Sequence, residues 1–191
     1  MDWIIPGTVL TISQEETEHI PEMFSSMFLA GGMALGQISN VTGLEPYTVQ
    51  NWVKRGFLPP PRNKRYTLDQ LCRILNINML KSALSLEQIC GLLQYINGDL
   101  EDEGDDLISD SQLYFLFVRL AAYHRQMSNT AGRERHLEKI LSDYRETKPG
   151  AKDRVEKVLR IMLTAWAASQ LRQAAEGMVM QLSKGEMEHA K

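Results

Sequence analysis

Five cationic side chains, Lys54, Arg55, Arg62, Lys64 and Arg65, fall within one short stretch of a chain whose formal net charge is -3. Between Ala34 and Tyr66 the only acid is Glu45. Such a cluster can meet a polyanion even on a weakly acidic protein. Salt limits the reach of each charge to about 8–10 Å, so a polyphosphate senses the face before it rather than the average. Downstream the imbalance reverses: Asp99, Glu101, Asp102, Glu103, Asp105 and Asp106 follow Gly98 with no base among them. These carboxylates lack the regular alternation and distal Glu of a calcium loop and read as a solvated acidic linker.

Other chemistry finds little support. The PGAKDR run after Thr147 lacks the glycine spacing of a phosphate-cradling loop, and GGMALG reads as a flexible lead into a helix. No nucleophile elbow, HExxH pattern or paired-carboxylate helix motif is present. His19, His124, His136 and His189 are scattered, and Cys72 and Cys90 sit in apolar helical patterns without a partner at metal-ligand spacing. The cysteines read as small buried hydrophobes of a reducing compartment. The expectation is a protein that is not an enzyme and uses no cofactor or metal. No run is apolar and long enough to span a bilayer, and the start MDWIIPGTVL lacks the basic flank of a secretory signal, so a cytoplasmic location without a membrane partner is expected.

The elements that must position the cations are well punctuated. Leu35, Ile38 and Val41 keep one face of a short helix apolar, and Gly43 suits a left-handed cap at its end. A tight turn follows, and Pro46 stands at the first position of a second helix, where its missing N–H does no harm. Val49, Trp52 and Val53 must face inward, which makes Trp52 a core residue rather than a stacking platform. The same periodicity turns Tyr47, Thr48, Gln50, Asn51, Lys54 and Arg55 outward. Gly56 stops the helix and Pro59-Pro60-Pro61 forbids more, so residues 62–66 are expected as a small hairpin with Asn63-Lys64 near its tip. Thr67-x-x-Gln70 and Ser85-x-x-Gln88 are capping boxes that open two further helices.

Beyond the acidic run, SQLYFLFVRLAAYHRQ (111–126) is apolar nearly all round, so it is expected beneath other helices or another subunit. An amphipathic helix is expected over 133–144 with Leu137, Ile140, Leu141 and Tyr144 inward. A long helix is expected over about 151–182, with a seam at Val155, Leu159, Met162 and Trp166. Tyr114, Phe115, Phe117 and Tyr123, with Met162, Trp166, Met178 and Met180, read first as core or dimer interface and second as a small-molecule pocket.

The order of these elements resembles the DNA-binding domain of MerR-type transcription regulators, in a bacterial branch of that superfamily. The residues that carry the likeness are Leu35, Ile38, Thr42 and Gly43 in the first helix, and Thr48-Val49 with Arg55-Gly56-Phe57-Leu58-Pro59-Pro60-Pro61-Arg62 in the second helix and its exit. Tyr66-Thr67-Leu68 with Leu71, and Leu84-Ser85-Leu86 with Ile89, continue it. The likeness covers roughly residues 33–97. It departs from the family where Gln50-Asn51-Trp52-Val53 replaces an Arg-Tyr-Tyr-Glu-like run, where the wing is short, and where several helices replace one long dimerisation helix.

The resemblance, with the composition and periodicity read above, implies a mainly helical, all-α fold: a segment over 1–32 packing on the core, a winged helix-turn-helix with a small β wing over 33–98, an acidic linker over 99–110, and a helical dimerisation and sensing region over 111–191. It also implies a homodimeric transcription regulator that reads double-stranded DNA. Gln50 and Asn51 would then contact bases, Lys54 or Arg55 guanine or phosphate, Tyr47 and Thr48 phosphate, and Arg62, Lys64 and Arg65 would lie along the backbone. A small-molecule effector fits the C-terminal half. Two other readings stay open: a protein-interaction or assembly module that keeps the fold without reading an operator, and an architectural, excisionase-like DNA-bending protein.

Overall fold

The computed structural model describes residues 2–98, 100, 106–126 and 130–189. Among these residues the chain is mostly helical, and no helix is long and apolar enough to cross a membrane. It opens with a hairpin of β1 (Trp3–Ile4) and β2 (Thr11–Ile12), followed by a 3-10 segment (Gln14–His19) and α1 (Ile20–Ser26). In the amino-terminal segment Ile5, Ile20 and Phe24 are buried in the main apolar cluster. Gly7 is required by proximity as well as by its φ of 78°: a Cβ there would lie 2.6 Å from the Leu75 carbonyl oxygen.

Next come β3 (Met33–Ala34), α2 (Leu35–Thr42), α3 (Pro46–Lys54) and β4 (Arg65–Tyr66), then α4 (Leu68–Leu80) and α5 (Leu86–Asn97). Antiparallel pairing of β3 with β4 sets Met33 against Tyr66 and Ala34 against Arg65. The run expected as a lead into a helix therefore carries a two-residue strand before α2 begins at Leu35. The remaining helices are α6 (Asp110–Gln126), α7 (Thr130–Ser142) and α8 (Ala151–His189).

Helix α4 is the axle of the molecule. Residues 71–77, Met79 and Leu80 are buried, because α4 touches α2, α5, α6 and α8 on successive faces. Both capping boxes form. Thr67 Oγ1 accepts from the Gln70 amide at 3.2 Å while Gln70 Oε1 accepts from the Thr67 amide at 2.9 Å, and Ser85 and Gln88 exchange the same bonds at 3.2 and 2.9 Å. Cys72 is fully buried and carries no disulfide, and burial pushes its thiol well above the ordinary range, so it stays neutral and inert.

The apolar stretch after the acidic run is covered by the chain itself. Leu113, Tyr114, Phe117, Val118, Leu120 and Ala121 of α6 are buried, and α6 packs on α4, α7 and α8. Each of the Leu, Val and Phe side chains among them contributes about 1.5–3 kcal/mol on leaving water. Tyr114 satisfies its hydroxyl by donating to the Pro6 carbonyl at 2.7 Å, which ties α6 to the amino-terminal hairpin. Val155, Leu159, Met162 and Trp166 are buried as their spacing predicts, with α5, α6 and α4 as partners. Met178 and Met180 are not core: from Gln170 to Leu182 every side chain of α8 is exposed. Leu107 and Ile108 are buried within the stretch expected as a solvated linker, and the Leu107 amide donates to the Ile96 carbonyl at 2.9 Å. Residues 99 and 101–105, which hold most of that acidic run, lie outside the described residues.

Candidate nucleic-acid interface

Local chemistry builds the mount for the cations. Thr42 at the end of α2 donates from Oγ1 to the Ile38 carbonyl at 2.8 Å and accepts from the Leu44 amide at 3.1 Å, closing the turn. Gly43 takes φ 70°, and a Cβ there would meet Val9 Cγ1 at 2.7 Å. Asn78 on α4 then donates its amide to the Gly7 carbonyl at 2.8 Å and to the Thr42 carbonyl at 3.1 Å. One side chain thus joins three segments: the amino-terminal hairpin, the turn before α3, and α4.

Helix α3 begins on Pro46 and buries Val49 and Trp52, leaving Tyr47, Gln50, Asn51 and Lys54 exposed and Thr48 half-buried. It ends in a Schellman motif, with the Gly56 amide donating to the Val53 carbonyl at 3.0 Å and the Phe57 amide to the Trp52 carbonyl at 2.9 Å. The chain then turns back through Pro59-Pro60-Pro61, whose first two carbonyls accept from Gln70 Nε2 at 3.2 and 3.0 Å. An isolated bridge between Arg62 and Arg65 follows. Asn63 and Lys64 at its tip take φ 49° and 60°, the pair of left-handed residues that a tight two-residue hairpin of type I′ requires. Placing Lys rather than Gly at the second position carries a strain cost and leaves a cation at the apex.

Most of the predicted contact residues share this exposed region. Tyr47, Gln50, Asn51, Lys54, Arg62 and Lys64 are exposed and make no side-chain hydrogen bond or ion pair among the described residues. Two cations are engaged. Arg55 donates from Nη2 to Glu87 Oε1 on α5 at 2.8 Å and lies over the Phe57 ring at 4.5 Å, and Arg65 donates from Nη1 to the Gly32 carbonyl at 2.9 Å. The Glu87 carboxyl sits below its ordinary range, held first by its own backbone amide and then by the Ser85 hydroxyl and Arg55. Both partners of the Arg55 pair are well exposed, so a phosphate can exchange for Glu87 at little cost.

Arg73 escaped the sequence reading. It is buried on α4 behind the hairpin stem, donating from Nε to the Phe57 carbonyl at 3.0 Å and from Nη1 to Asp110 at 3.2 Å. The signal was present: Arg73 interrupts an apolar run from Leu71 to Leu75. No group of three or more metal-binding side chains occurs among the described residues.

Comparison with known proteins bears on this half of the chain. The family described as "Domain of unknown function (DUF1836)" matches residues 18–117, which hold the turn, α3, the hairpin, α4 and α5. The Uncharacterized protein YkrK of Bacillus subtilis (strain 168) is 30% identical over 112 residues, 56% of this chain and 47% of that protein. The chain therefore spans about half the length of that relative. No solved structure matches.

Proposed function

Because the chain belongs to the DUF1836 family, whose description assigns no role, its function has to be argued from geometry, and we propose that it is a MerR-like winged helix-turn-helix regulator of transcription that binds double-stranded DNA as a homodimer. In this reading α3 enters the major groove and the hairpin at residues 62–65 lies on the phosphate backbone. The observation that carries it is the uncovered face of α3 and the hairpin, where Tyr47, Gln50, Asn51, Lys54, Arg62 and Lys64 have no side-chain partner. Gln and Asn are suited to bidentate contact with adenine, while the hairpin cations neutralise phosphate without reading sequence.

The dimer has a physical motive in α8. The helix leaves the core after Ser169 and exposes Leu171 at 74%, Met178 at 66% and Leu182 at 71%. Thr164, Leu171 and Met178 recur at seven-residue steps, with Ala167, Ala168, Ala174 and Ala175 between them, and this stripe faces away from the buried seam. A second copy of the same helix fits such a surface, and twofold pairing doubles the contacts made by a single short reading helix.

Fluorescence anisotropy with genomic fragments tests the reading. Binding should weaken by about 10³–10⁵ between 50 and 200 mM salt if the dimer covers about 6–10 phosphates. Replacing Arg62, Lys64 and Arg65 together by Ala should weaken binding to all fragments alike, whereas Gln50→Ala or Asn51→Ala should shift preference by about 1–3 kcal/mol at the positions read. Absence of any duplex binding at low salt would leave the assembly-module reading, in which α8 is the working surface.

A further inference from the structure

Beyond the carboxyl-terminal end of α4, away from the hairpin, the amino-terminal hairpin, α6 and α8 enclose a groove of about 700 Å³. Three cations border it, Lys81 from the end of α4, Arg125 from α6 and Arg172 from α8, against one carboxylate, Asp2. Its floor is polar and fixed: Ser82 Oγ donates to Ser169 Oγ at 2.6 Å, which donates to the Ala165 carbonyl at 3.0 Å. The indoles of Trp3 and Trp166, both mostly buried, form apolar walls, and the Arg125 guanidinium lies 6.0 Å from the Trp3 ring centre.

Unlike the arginines that tie segments of the fold together, and like Lys54, Arg62 and Lys64, two of these cations lack a carboxylate partner among the described residues. Arg73 is paired with Asp110, Arg119 with Asp143, and Arg160 with Glu134 and Glu156. Lys81 and Arg125 form no ion pair among the described residues, and Arg172 reaches only the exposed Glu176 at 3.7 Å. Burial of its surroundings holds the Lys81 ammonium below the ordinary lysine range. All three cations are exposed, so an anion entering the groove can reach Lys81 and Arg125 without displacing a carboxylate of the described residues.

We propose that this groove binds the phosphate of a small phosphomonoester, with Lys81 and Arg125 as anion ligands, Arg172 at the rim, and the two indoles facing the organic part. Three cations against one carboxylate leave an excess that matches a phosphomonoester, which carries about -1.5 to -2 charge near neutrality. Arg supplies a planar donor fork and Lys a compact charge, a combination suited to tetrahedral phosphate. The groove falls within the range of about 300–1,000 Å³ that small-molecule sites occupy. None of this depends on the nucleic-acid reading, since the groove and the hairpin lie at opposite ends of α4.

The test is titration of the full chain with phenyl phosphate, followed by tryptophan fluorescence and by calorimetry. Saturable binding is expected, competed by inorganic phosphate and not by benzyl alcohol. Lys81→Met and Arg125→Met should each weaken it by about tenfold, the loss of one charge-assisted hydrogen bond. Lys81→Arg should retain most of it, and Arg62→Ala with Lys64→Ala should leave it unchanged. No saturable binding, or wild-type affinity in either Met variant with its fold intact by circular dichroism, overturns the proposal. So does displacement of phenyl phosphate by a short DNA duplex that survives Ala at Arg62, Lys64 and Arg65, which would make the groove a second nucleic-acid contact.

Discussion

At its amino-terminal end α4 borders a cavity of about 720 Å³ lined by Asp69, Arg73, Asp106 and Asp110, whereas its other end borders the groove of Lys81, Arg125 and Arg172. The signs at both ends suit the helix dipole, with Asp69 in the first turn of α4 and Lys81 at its carboxyl-terminal cap. The state of the charges differs. At the first end Arg73 holds Asp110 and Asp69 accepts from the Ser111 amide at 2.9 Å, while Arg62, which also lines the cavity, has no partner among the described residues. At the second end Lys81 and Arg125 have no carboxylate among the described residues. Internal neutralisation marks a structural joint, here between the hairpin stem and α6, while unpaired charge on a fixed floor marks a place prepared for something from outside.

Substitutions can break or sharpen that contrast. The largest effect belongs to Arg73→Met, which strands a buried Asp110 and should cost about 3–5 kcal/mol in urea unfolding. If Arg73→Met is neutral, the joint is not what holds the hairpin stem. Asp110 adds a pH signature. Burial raises its carboxyl above the ordinary value of 3.8 and outweighs the opposing pull of Arg73. The folded chain therefore holds this proton more tightly than the unfolded chain does. The resulting stability is full below 3.8 and is lost as pH rises through the folded value, so the stability difference between wild type and Asp110→Asn should change across that window. Thr67→Ala, which removes the cap at the same end of α4, should cost about 1 kcal/mol by the same measurement.

The smallest effect has the opposite sign. Lys81→Met should raise the melting temperature slightly at neutral pH, since the folded state disfavours this charge and its stabilising neutral form is populated only as pH rises toward 10.5. A drop in melting temperature would mean that Lys81 is a structural residue, and the difference between the two ends would disappear.

What the sequence disclosed was local. Gly43, Pro46, Gly56, the two capping boxes and the Asn63-Lys64 tip each act within a few residues, so their spacing alone placed α2, α3, the hairpin, α4 and α5. Nonlocal partners stayed hidden. A two-residue strand at Met33–Ala34 has no periodicity to reveal it, and its partner lies beyond two helices. Glu87 belongs to a different helix from the arginine it holds, and Asn78 shows nothing in sequence of the two carbonyls it joins. The aromatics of α6 gave their burial but not what covers them, because periodicity cannot distinguish the chain's own helices from another subunit's. The exposed residues of the candidate interface were legible for the reverse reason, since a polar face between buried Val49 and Trp52 follows from helical geometry alone.

Helix α8 is one continuous helix, packed on the protein as far as Ser169 and exposed from Gln170 to Leu182. At 1.5 Å per residue its 39 residues reach about 58 Å. If two chains pair through this exposed stretch as proposed, they would hold their two α3 helices at a distance counted in helical turns. Inserting a full turn beyond Ser169 would lengthen that distance by about 5.4 Å and keep the grip aligned, whereas inserting two residues would swing the gripping stripe by about 200° to the wrong side. The rod is in that sense a ruler, and its graduations are set by the pitch of the helix.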